Sequence, residues 1–124
     1  MGDFQKLNVW QKSKDLAVLI YKLSGEGDFA RDFGLQDQIR RASVSIAANI
    51  AEGEQLQSNL QATRHFYIAL GSAAELLTHV IIAHEIKYIN PTDFQNLQGK
   101  INEVSGILTN LIKARRSPKP GQQQ

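Results

Sequence analysis

The side chains with chemical reach are few in this sequence, and their spacing limits what they can do. His79 and His84 are five residues apart, which turns them about 140° from one another around a helix of 3.6 residues per turn. They cannot share a metal ion as an i, i+4 pair does. His65 lies several turns upstream, and all three are expected at the edges of a bundle. There is no cysteine, so thiol nucleophiles, disulfides and thiolate metal sites are excluded. Ser43, Ser45 and Ser72 stand in helical context without the sharp strand-to-helix turn that exposes a nucleophilic serine. Gly25 and Gly27 separate two helical segments and form no phosphate-binding loop. Glu52 and Glu54 flank a helix end and read as a solvated turn. These residue types assemble no catalytic centre, so the expectation is a protein that is not an enzyme, with no cofactor and no metal.

The cations offer more. Arg40 and Arg41 are adjacent, so on a helix they diverge by about 100° and cannot face one site together. Each is open to two readings, a structural ion pair or a phosphate contact. A second cluster, Lys113, Arg115, Arg116 and Lys119, closes the chain with no acid after Glu103. It complements the C-terminal end of a helix dipole, and it is also the composition of a phosphate-binding tail. No aromatic residue is interleaved with it, so base stacking is not expected there. The cluster lies beyond the apolar heptads of its helix and has little to bury. Asn49 and Gly71 are poor mid-helix residues, expected where an amide satisfies polar groups or where two helices approach closely. Glu52 is read as structural with them.

Four segments of helical periodicity carry these residues. The first runs from about Gln5 to Ser24, with Val9, Leu16, Ile20 and Leu23 on one stripe, and Gly25 to Asp28 break it. The second runs from about Gly34 to Glu52 through Leu35, Ile39, Ala42, Ile46 and Ile50, with Gly53 at the position where glycine ends helices. The third opens on Ser58-Asn-Leu-Gln61, a capping-box pattern, and continues to about Lys87 with Phe66, Leu70, Ala73, Leu77, Val80 and Ile81 inward. The fourth starts at Asn90-Pro91, proline being suited to the first helical position, and Phe94, Leu97, Ile101, Val104, Leu108 and Leu111 keep heptad spacing to about Arg116. Short links between the last three helices force antiparallel neighbours. The fold expected is all-α: an antiparallel up-down-up-down four-helix bundle over residues 1–116, followed by a disordered polar and basic tail over 117–124.

A chain of 124 residues fits one domain and can bury roughly two-thirds of its unfolded surface. Its formal net charge is +2, with 42% hydrophobic residues. The segment Met1 to Lys14 mixes charge with apolar residues and is no signal peptide. Phe66 to Ala83 is apolar but interrupted by Ser72, Glu75, Thr78 and His79, which a membrane span tolerates poorly. A cytoplasmic protein without membrane contact is expected. One feature strains a lone bundle. Between Arg41 and Glu52 the second segment carries no charge, and between Arg64 and Glu85 the third carries only Glu75. A helix apolar nearly all round is buried on both sides, so self-association is expected.

Several runs carry a family resemblance: Gln38-Ile-Arg-Arg-Ala42, Ser45-Ile46 and Asn49-Ile-Ala-Glu-Gly53, with Val9-Trp10 and Lys12 upstream and Phe66, Ala69, Gly71-Ser72 and Glu75 downstream. From Phe4 to about Ile112 the chain resembles the bacterial four-helix-bundle family of 23S rRNA-intervening-sequence proteins. That resemblance implies antiparallel bundles assembled into ring-shaped homopentamers. A related branch, the accessory proteins of diversity-generating retroelements, implies binding of nucleic acid and of a nucleic-acid enzyme, a reverse transcriptase. The function expected by similarity is a homo-oligomeric scaffold that binds RNA, DNA or a nucleoprotein, with Arg40, Arg41, Lys113, Arg115, Arg116 and Lys119 as candidate contacts. Gln38, Asn49, Glu52, Gly53 and Gly71 are its structural motif. The alternative is a protein-interaction ring without nucleic-acid affinity.

Overall fold

The computed structural model describes residues 3–56 and 58–116. Four α-helices dominate: α1 (Asn8–Ser24), α2 (Phe33–Gln55), α3 (Asn59–Glu85) and α4 (Pro91–Arg116), with 3-10 turns at Phe4–Lys6 and Gly27–Arg31 and no strand among the described residues. Each helix packs on the next in chain order and α1 closes on α4, which is the antiparallel four-helix bundle. The tail from Ser117, including Lys119, lies outside the described residues.

The helix ends follow from side chains. Asp32 caps α2 by accepting from the Leu35 N–H at 3.1 Å. Ser58 accepts from the N–H groups of Leu60 and Gln61 at the start of α3, and Asn90 Oδ1 accepts from Asp93 N–H at 2.7 Å at the start of α4. Helix α3 ends in a Schellman turn. Tyr88 N–H reaches Ala83 O and Lys87 N–H reaches His84 O, with Lys87 at φ 71° where glycine is customary. In the link between α1 and α2, Gly27 takes φ 57°. The 3-10 turn that follows buries Phe29, whose ring stacks on Tyr88 at 5.2 Å. The glycine break was legible in the sequence; this aromatic plug was not.

The core takes Val9, Leu16 and Ile20 from α1, Ile39, Ile46 and Ile50 from α2, Phe66, Leu76 and Val80 from α3, and Leu97, Ile101, Val104 and Leu108 from α4. Burying each of the larger side chains contributes about 1.5–3 kcal/mol. The inward face of α3 is rotated from the expected one. Ala62, Ala69, Ala73, Leu76 and Ala83 are fully buried, while Leu70 and Leu77 only pack against the core edge. Alanines share the centre with Phe66, Leu76 and Val80 because α3 is wedged between α2 and α4, and alanine lets both approach.

Gly53 differs from its expected role. Helix α2 runs through it to Gln55, and Gly53 is buried. A Cβ there would stand 2.7 Å from Phe66 Cε1 and 3.1 Å from Ala62 O, so the glycine permits contact between α2 and α3 rather than ending a helix. Gly71 departs in the opposite sense. It is exposed on α3, and a Cβ there would meet nothing within 4 Å.

A polar column at seven-residue spacing runs along α3: His65, Ser72 and His79. Ser72 and Ser45 share a hydrogen bond of 2.9 Å across to α2. Asn49 Nδ2 donates to Ser45 O at 2.9 Å, which turns its Oδ1 toward His65 Nδ1 at 3.1 Å. Glu52 Oε2 lies 3.2 Å from the same nitrogen. Facing two acceptors, Nδ1 carries the ring proton. Asn49 and Glu52 thus serve the α2–α3 seam. His79 is buried, not at an edge. Its Nε2 meets Glu75 at 3.2 Å, and its Nδ1 is buried with no partner among the described residues.

Candidate nucleic-acid interface

The two arginines of α2 do different things. Arg40 Nε donates to Ser24 Oγ at 2.8 Å and its NH2 group donates to Tyr21 O at 3.1 Å. Its guanidinium lies 4.5 Å from the Tyr21 ring centroid, and Gln36 Nε2 donates to Ser24 O beside it. Arg40 therefore satisfies carbonyl and hydroxyl groups left over at the end of α1 and sets its charge against the negative end of that helix dipole. Arg41 pairs with Asp37 one turn earlier at 3.0 Å, both side chains well exposed, a pair worth about 0.3–0.5 kcal/mol. Gln38, three residues before Arg41, is exposed.

The cations of α4 also divide. Arg115 donates to Glu54 Oε1 at 2.7 Å, with side chains only 26% and 13% exposed, and its guanidinium lies 5.5 Å from the Phe66 ring. It clamps the end of α4 onto α2, so this position buries more than its place beyond the heptads suggests. Glu54 is a partnered acid, not part of a solvated turn. Arg116 NH1 donates to the Tyr67 hydroxyl at 2.6 Å, and Lys113 is exposed one turn before it. Arg64 stands one turn before Tyr67 on α3. Among the described residues no carboxylate pairs with Arg64, Lys113 or Arg116.

Sequence reasoning missed two members of this cluster. Arg64 and Tyr67 are nearly fifty residues from the tail in sequence, and only the packing of α3 on α4 brings them beside Arg116. The signal that could have found them is the isolated charge and aromatic on an otherwise apolar outward stripe. The cluster lines a groove of about 950 Å³ formed by Leu60, Thr63, Arg64, Tyr67, Ile68 and Arg116. A smaller groove of about 310 Å³ adjoins it through Tyr67 and Arg116 and adds Lys113.

The outward face of α3 is apolar well beyond this groove. Ile82, Ile86 just past the end of α3, and Val44 on neighbouring α2 are each close to half exposed. By length and composition α3 could cross a membrane; here its inner face packs into the bundle core.

The histidines do not converge. His65 and His79 keep the partners described above, and His84 stacks on Phe94 at 4.2 Å. Among the described residues no three His, Asp or Glu side chains could hold a metal ion.

Comparison with curated proteins finds no match. Among solved structures, the chain is similar to a Bacteroides thetaiotaomicron protein described as being of unknown function and from the S23 ribosomal protein family. The TM-score is 0.78 at 30% identity, covering 86% of this chain and 99% of that one. No enzymatic activity is given with either this neighbour or the matching family. Residues 5–110 match the family described as 23S rRNA-intervening sequence protein, and on that extent, together with its four-helix bundle, the chain belongs to this family.

Proposed function

We propose that this protein is a non-enzymatic, cytoplasmic, homo-oligomeric scaffold that binds nucleic acid or a nucleoprotein through basic surface charge. The observation that carries the binding reading is the group Arg64, Lys113 and Arg116 around Tyr67, three cations without a carboxylate partner among the described residues. A surface with unneutralised cations attracts phosphates, and an oligomer multiplies each charge by its subunit count. Arg41 is available at the cost of an exposed ion pair. Arg40 and Arg115 are committed to the bundle and contribute field rather than contact.

Self-association rests on the exposed apolar residues outside the Tyr67 groove, Val44 on α2 with Ile82 and Ile86 at the far end of α3, and on Gly71, which leaves a flat place on α3 for another helix to approach. Burying them against copies of the chain accounts for their exposure without a membrane. The subunit number proposed is five, from the family resemblance. Light scattering should give a mass several-fold above the monomer's 13.8 kDa; a monomer at micromolar concentration refutes the assembly.

Binding is tested by titrating salt against RNA and DNA. Affinity should fall steeply, with a slope set by the number of phosphates neutralised. An oligomer with no salt-sensitive binding near physiological ionic strength would instead be a protein-interaction ring, the reading favoured by the apolar stripe alone.

A further inference from the structure

Tyr67 is 47% exposed at the junction of the two grooves between α3 and α4. Its hydroxyl is held by Arg116 at 2.6 Å, which fixes an aromatic ring on the surface beside a cation. Leu60 and Ile68 give the larger groove an apolar wall, and Arg64 stands on the same wall. The two grooves share Tyr67 and Arg116 and so form one trough with cations along it. Two other surface grooves among the described residues lack this combination. Near Tyr21, the Arg40 guanidinium already lies over the ring, and Asp37 neutralises Arg41. Near Phe4, the groove contains Glu52 and His65 but no lysine or arginine.

We infer that this trough takes single-stranded nucleic acid, one unpaired base stacking on Tyr67 while neighbouring phosphates lie against Arg64, Arg116 and Lys113. The inference rests on the nucleic-acid reading above and makes it specific. An aromatic ring accepts any base because every base has a π-face, and flanking cations track the backbone. A duplex keeps its bases stacked inside and offers this surface only phosphates. A second copy of the chain is the competing occupant, and the mass of the Tyr67→Ala variant below tells the two apart.

The test is fluorescence anisotropy on the full chain with three labelled probes of about 15 nucleotides: oligo-dT, an abasic strand of the same length, and duplex DNA. Tyr67→Ala should weaken oligo-dT binding by about five-fold or more, the loss of one stacked base. It should leave the abasic strand and the duplex within about two-fold. Tyr67→Phe should keep oligo-dT affinity, since it keeps the ring. Light scattering on Tyr67→Ala should give the wild-type mass. A smaller loss on oligo-dT, an equal loss on all three probes, or a fall in mass, which would make the trough a contact between copies, overturns the inference. If wild type binds all three probes alike and with salt sensitivity, charge-driven binding stands and base stacking fails. If it binds none of them, both fail.

Discussion

Replacing Gly53 by alanine tests the packing of α2 on α3 at its closest point. Alanine is the better helix former by about 1 kcal/mol, and Gly53 lies inside a helix, so local propensity alone predicts stabilisation. Packing predicts the reverse. The new Cβ would stand 2.7 Å from Phe66 Cε1, 3.0 Å from Cδ1 and 3.1 Å from Ala62 O. Phe66 is fully buried and its ring cannot swing aside, while the Ala62 carbonyl belongs to the backbone of α3. Overpacking of this kind costs about 1–3 kcal/mol. Net of the propensity gain, the loss is about 0–2 kcal/mol, or up to roughly 10 °C in Tm at this chain length. Thermal unfolding followed by circular dichroism, at one fixed protein concentration because assembly shifts Tm, reads it directly. Gly106→Ala is the control. It lies exposed in α4 with nothing within 4 Å of a Cβ and should gain about 0.5–1 kcal/mol. Pairing Gly53→Ala with Phe66→Leu should recover part of the steric loss. A Tm for Gly53→Ala raised above wild type as Gly106→Ala raises it would refute the close-approach argument.

Arg115→Ala should destabilise by about 1–3 kcal/mol by leaving the largely buried Glu54 carboxylate without its partner, and a double-mutant cycle with Glu54→Gln in urea should show the two effects to be non-additive. Lys87→Gly should stabilise by about 0.5–1 kcal/mol, because Lys87 holds φ 71° at a cost glycine does not bear; an unchanged urea midpoint would count against strain there. The hydrogen bond to Asp32, then partial burial and the charges of Asp32 and Asp28, raise the Tyr88 pKa above 10.0. The folded state therefore holds that proton more tightly. The stability this contributes is complete below pH 10 and lost as pH rises through the folded value. Tyr88→Phe should flatten that alkaline decline in unfolding free energy.

The bundle was legible because its signals are local. Ser58, Asn90 and Pro91 mark helix starts by side-chain and ring chemistry that operates within one turn, and the heptads of Leu97, Ile101, Val104 and Leu108 face inward as their spacing requires. What escaped depends on neighbours remote in sequence. Gly53 looks like a helix terminator until Phe66 is seen against it. Arg115 looks like a free tail cation until Glu54 is found beneath it. His79 looks like an edge residue because periodicity alone cannot say which stripe of a nearly all-apolar helix faces inward. The candidate site was half legible: Lys113 and Arg116 stood out as a charge run, whereas Arg64 and Tyr67 join them only through tertiary packing.

The polar column on α3 also acts as a ruler. Apolar contact is non-directional, so the alanines on the inner face of that helix do little to fix how far α2 and α3 slide along one another, beyond the fit of Phe66 against Gly53. A slide of one turn, about 5.4 Å, would carry Ser72 off Ser45 and His65 off Asn49. Each partly buried polar group left unpaired then costs about 1–3 kcal/mol. The seam therefore penalises displaced alignments more than it strengthens the native one. Its substitution by apolar residues should yield a bundle of similar stability whose α2–α3 alignment rests on Phe66 against Gly53 and is less sharply set.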